Sequence, residues 1–98
     1  MPASKSLEDA RRLVVNKLQG LPVRVWLFGS RTRGTASAAS DIDLAILPKG
    51  TLPEGILSEL REAFEESDIP YKVDVVDLRS VDGAFRRRIE SEGVLWLD

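Results

Sequence analysis

Histidine and cysteine are both missing from this 98-residue chain. Without cysteine there is no disulfide, no zinc–thiolate site and no thiol nucleophile. Without histidine, a general base has to be a carboxylate, a lysine or a tyrosine. Asparagine, glutamine and methionine occur once each, as Asn16, Gln19 and Met1. Heat-adapted proteins show the same sparing use of thermolabile residues. No apolar run approaches the ~20 residues of a membrane-spanning helix, and no signal peptide is visible, so a cytoplasmic protein is expected. A surplus of positive charge is missing too. Lys and Arg number 14 against 16 Asp and Glu, for a net charge of −2. No global basic field argues for direct nucleic-acid binding.

What remains is an ordinary globular composition, 43 % hydrophobic and 31 % charged, in a length that suits a single domain over residues 1–98. Ser6 followed by Asp9 reads as a helix cap with an acidic partner. Leu7, Ala10, Val14 and Leu18, with Leu13, then predict a helix to about Gln19, closed by Gly20-Leu-Pro22. Val23 to Phe28 is a compact apolar strand. Gly34 to Ser40 is a loop of small residues. Asp41 to Leu47 is a second strand, with Ile42, Leu44 and Ile46 facing away from its carboxylates. After the break at Pro48-Lys-Gly50, Ile56, Leu57, Leu60 and Phe64 mark a helix from about Pro53 to Ser67. Lys72 to Asp77 is a third strand. Ser80 is a plausible cap for a last helix carrying Val81, Phe85 and Ile89, which Gly93 stops before a terminal extended piece, Val94 to Leu97. The expected order is α-β-(short α)-β-α-β-α-β, an α/β (α+β) chain with a small mixed sheet flanked by helices.

Ten residues separate Gly29-Ser30 from Asp41-Ile-Asp43. Gly29 lets the backbone turn sharply and come close to a ligand. Ser30 would open a short helix whose free N–H groups face a phosphate. Asp41 and Asp43 lie two apart on a strand and project from one face. Two such carboxylates repel each other unless a cation sits between them, and oxygen ligands beside a triphosphate suit Mg²⁺. Asp74 is the best third carboxylate, because Asp77 has the opposite strand parity. Two metal ions on Asp41, Asp43 and Asp74 would activate an attacking hydroxyl and stabilise leaving pyrophosphate. Asp74 is also the candidate base, since histidine is absent. For one site to collect these residues, strands one and two must run antiparallel and strands two and three parallel.

Other residues keep two readings. Arg31 and Arg33 either contact the nucleotide's phosphates and brace the aspartates, or form a solvated turn. Arg86-Arg-Arg88 is a solvated helix face or a contact for a nucleotide or acidic partner. Trp26 and Trp96 belong to a core or an interface.

The segments Phe28-Gly-Ser-Arg-Thr-Arg-Gly34, Ser40-Asp-Ile-Asp-Leu-Ala-Ile46 and Lys72-Val-Asp-Val-Val-Asp-Leu78 resemble the minimal nucleotidyltransferases, the smallest branch of the DNA polymerase β-like superfamily. The resemblance covers nearly the whole chain. It implies a nucleotidyltransferase fold with a three-stranded mixed core sheet, ATP as the default nucleotide, and all three catalytic carboxylates present. Larger relatives append helices that bind the acceptor; here the acceptor hydroxyl is expected on another protein or subunit, in a homo- or hetero-oligomer. Minimal nucleotidyltransferases are often paired with HEPN-domain toxins in toxin–antitoxin systems, where the nucleotidyltransferase is the antitoxin and adenylylates a toxin tyrosine. Two alternatives stand beside that function: an antitoxin that neutralises its partner by binding alone, and nucleotidyl transfer to a small molecule such as an aminoglycoside.

Overall fold

The computed structural model describes the backbone of residues 2–29 and 42–98 and, within these, the side chains from Leu7 onward. Helix α1 (Pro2–Leu18) leads into strand β1 (Val23–Phe28). Strand β2 (Ile42–Pro48), helix α2 (Ile56–Glu66) and strand β3 (Val73–Asp77) form a crossover unit. A 3₁₀ turn (Leu78–Ser80), helix α3 (Gly83–Glu92) and strand β4 (Val94–Leu97) complete the order. The sheet runs β3-β2-β1-β4. β1 is antiparallel to β2 and β4, and β2 is parallel to β3. Both strand directions expected from the spacing of the carboxylates are found. The fourth strand extends the three-stranded core: β4 pairs along the free edge of β1.

The two central strands are buried on both faces, which is why they read as nearly continuous apolar runs. On one face Val23, Val25, Leu27, Ile42, Leu44 and Ile46 meet Ala10, Val14 and Leu18 of α1 and Leu60 and Phe64 of α2. On the other, Trp26, Ala45 and Leu47 meet Leu78 and Ile89, beneath α3. Trp26 and Trp96 are both buried, one in each cluster. Each fully buried Leu, Ile or Val contributes about 1.5–3 kcal/mol.

Two helix starts differ from expectation. α1 begins at Pro2, so Ser6 lies inside the helix instead of before it. Proline suits a first turn, where its missing N–H leaves no bond unmade. α3 is capped by Asp82, not Ser80: the Asp82 carboxylate accepts from the Phe85 N–H at 2.8 Å. Ser80 closes the 3₁₀ turn, and Val81 precedes the helix it was expected to join. Gly93 ends α3 where a Cβ would stand 2.7 Å from the Ile89 carbonyl oxygen and 3.2 Å from that of Leu27. Only glycine lets β4 turn so closely onto β1. Among the described residues, no helix is long and apolar enough to cross a membrane.

Candidate active site

The topology brings the carboxyl end of β1 and the amino ends of β2 and β3 to one rim of the sheet. Phe28, the last residue of β1, is the register partner of Asp43. Asp43 is in turn the register partner of Asp74 on the parallel neighbour. Adjacent strands lie about 4.8 Å apart, so the two aspartates stand side by side. Their shared face follows from alternation. Asp43 sits between Ile42 and Leu44, which point toward α1 and α2, and Asp74 between Val73 and Val75, which do the same. Both carboxylates therefore project on the α3 side.

Gly29 follows directly, with φ +89°. A Cβ there would lie 2.6 Å from Asp43 Oδ2. This glycine thus serves a purpose the sequence did not disclose: it makes room for the Asp43 carboxylate as well as turning the chain. Ser30, Arg31, Arg33 and Asp41 lie outside the described residues, as does the short helix expected after Ser30.

Asp77, the rival third carboxylate, is spoken for. It lies on the α1–α2 side of β3, its side chain 18 % exposed. It caps the 3₁₀ turn by accepting from the Arg79 N–H at 2.9 Å, and pairs with Arg79 Nη2 at 2.8 Å. The Arg79 guanidinium, its side-chain donors above all, holds the Asp77 carboxyl below its ordinary value. Asp74 is more open, its side chain 44 % exposed, and Lys72 Nζ stands 3.7 Å away on a side chain 71 % exposed. So loose an ion pair adds little stability and yields readily to another cation.

Sequence reasoning passed over Lys72, although it lies two residues before Asp74 and shares its parity. It also assigned Phe85 to an apolar stripe with Ile89. Ile89 is buried, but Phe85 is 37 % exposed and meets Phe28 edge-to-face, with ring centroids 5.9 Å apart. The basic run resolves largely into a solvated face: Arg86 pairs with Glu90 at 2.8 Å and Arg88 with Glu92 at 2.9 Å, each one helical turn on.

Two adjacent carboxylates form a hard oxygen donor set of the kind that could hold a divalent cation. Among the described residues they are not joined by a third ligand. A mixed sheet with a glycine break on one strand and facing aspartates on the next two is the frame of a nucleotidyl-transfer fold. The chain belongs to the family described as polymerase β nucleotidyltransferase, which its residues 15–98 match.

Over 65 residues the chain is 45 % identical to the "Probable protein adenylyltransferase MntA" of Haemophilus influenzae, a match covering 66 % of this chain and 57 % of that protein. Over 73 residues it is 37 % identical to the protein adenylyltransferase MntA of Shewanella oneidensis, covering 74 % of this chain and 52 % of the other. The chain therefore spans little more than half the length of these curated relatives. In structure it is similar to a chain in tri-AMPylated Shewanella oneidensis HEPN toxin in complex with MNT antitoxin, with a TM-score of 0.64 and 26 % identity, covering 96 % of this chain and 71 % of the other.

Proposed function

We propose that this chain is a Mg²⁺-dependent protein adenylyltransferase. It transfers AMP from ATP to a hydroxyl, that of a tyrosine, on a HEPN-type toxin in the cytoplasm, and thereby acts as an antitoxin. The observation that carries this reading is the Asp43–Asp74 register pair beside Gly29. The relatives named protein adenylyltransferase, and the AMPylated toxin in the similar complex, supply the acceptor class.

The residues fit the roles. Asp43 and Asp74, with Asp41, would hold two Mg²⁺ ions, since paired carboxylates on one face repel each other without a cation between them. Bound Mg²⁺ supplies charge neutralisation for the triphosphate and for departing pyrophosphate. Gly29 leads the chain past the Asp43 carboxylate, and Ser30, Arg31 and Arg33 follow it as donors to the phosphates. Asp74 accepts the proton of the incoming hydroxyl, because the chain has no histidine to do so. The acceptor oxygen bonds to the α-phosphorus as the bond from that phosphorus to the bridging oxygen breaks. Pyrophosphate leaves, and AMP stays on the acceptor.

The test is transfer of labelled AMP to the partner toxin by wild type, Asp41→Asn and Asp43→Asn. Loss of labelling with the variants still folded and still in complex supports the reading. Unchanged labelling would sink the carboxylate roles. Toxin neutralisation that survives the loss of labelling would make binding alone the function.

A further inference from the structure

We infer that the cavity between Phe28 and α3 receives the purine ring of the nucleotide, which makes Phe85 a specificity-determining residue. The inference rests on the nucleotidyl-transfer reading above and deepens it.

The cavity holds about 170 Å³ and is lined by Phe28, Gly29, Phe85, Arg88, Glu92 and Gly93 among others. Sites that enclose a whole small ligand run to roughly 300–1,000 Å³. This one has room for a ring system, and a ribose and triphosphate would have to lie outside it. Its position suits that division. Gly29 belongs both to the cavity wall and to the carboxylate rim, and Phe28 is the register partner of Asp43. A ligand seated in the cavity therefore has its next atoms over Gly29 and then over the Asp43–Asp74 pair, in the order of base, sugar and phosphate.

The lining chemistry points to an aromatic, nitrogen-bearing ring. Phe28 and Phe85 stand at 90° to each other, so one offers a face where the other offers an edge. Phe85 is one of three large apolar side chains exposed among the described residues, the exposure expected of a stacking platform. At the rim, Arg88 Nε donates to Glu92 Oε2 at 2.9 Å. The remaining guanidinium N–H groups of Arg88 and the second carboxylate oxygen of Glu92 then set a donor beside an acceptor, the pattern that matches a ring nitrogen next to an exocyclic amine. An acceptor tyrosine would use the platform but has no ring nitrogen or amine to meet that pair.

The experiment measures binding of ATP, CTP and inorganic triphosphate by calorimetry, with Ca²⁺ in place of Mg²⁺, to wild type, Phe85→Ala and Phe85→Tyr. Phe85→Ala is expected to weaken ATP roughly tenfold, the loss of one stacked base. It should narrow the preference for ATP over CTP and leave triphosphate unchanged, while Phe85→Tyr stays close to wild type. Equal ATP affinity in wild type and Phe85→Ala would overturn the inference. So would equal weakening of ATP and triphosphate, or intact ATP binding with transfer to the partner lost, which would give the platform to the acceptor. Failure of the wild type to bind ATP or triphosphate at all would overturn the transferase reading, and this inference with it.

Discussion

Gly29 and Asp43 are the tightest pair in the site. A methyl group at residue 29 meets both a positive φ and a carboxylate oxygen at 2.6 Å. Gly29→Ala should cost about 1–3 kcal/mol of stability, read from urea midpoints, and should also cut AMP transfer, because relief of the clash means displacing Asp43. The two aspartates of β3 should separate cleanly. Asp74→Asn is expected to lower transfer by at least about 10²-fold with little change in stability, since its side chain is nearly half exposed. Asp77→Asn should do the reverse, costing about 1 kcal/mol through the weakened cap while transfer stays near wild type. Paired urea melts and transfer assays on both variants check this. Strand parity made Asp74 the better candidate in the sequence, and the register sets it beside Asp43 of β2. The clash that Gly29 avoids was not legible, because it depends on how closely β1 and β2 approach, and periodicity carries no distance.

Helices and strands were read well wherever burial dictates pattern. β1 matched at Val23–Phe28 because both of its faces are covered and Arg24, near its start, is its only polar residue. Caps were read less well. Ser80 and Asp82 are two residues apart and either can cap; the 3₁₀ turn, itself capped by Asp77, uses up Ser80 and leaves the role to Asp82. Asp82→Ala should therefore cost about 1 kcal/mol in thermal or urea unfolding, and Ser80→Ala should be close to neutral. β4 carries its own signature. The Asp98 carboxylate that follows it accepts from Lys49 Nζ at 2.7 Å and Arg24 Nε at 2.8 Å, tying the strand end to β1 and the turn after β2. These two cations, Lys49 first, pull its carboxyl from 3.8 down to about 2. The unfolded chain takes up this proton first as pH falls. The contribution is whole above pH 3.8 and is lost as pH drops through about 2. In Asp98→Asn, the fall in urea midpoint across that acid window should be shallower.

Over the whole molecule, the expected topology holds: a mixed sheet, with β1 and β2 antiparallel and β2 and β3 parallel. It was legible because the chemistry needs Gly29, Asp43 and Asp74 at one rim, and few strand directions allow it. The cavity beside Phe28 was not, since it arises where α3 leaves β1 and exists in no single segment. The same rim has a kinetic consequence. Asp43 and Asp74 become neighbours only through a parallel pairing that encloses the whole of α2, whereas the β1–β2 contacts are antiparallel. Closing a long crossover spends chain entropy before any contact repays it, so parallel pairing is slow. Nucleotide affinity should therefore appear in the last phase of refolding, after the tryptophan signal of β1 has begun to recover. A chain still emerging from the ribosome would carry Gly29 and Asp43 long before it could use them.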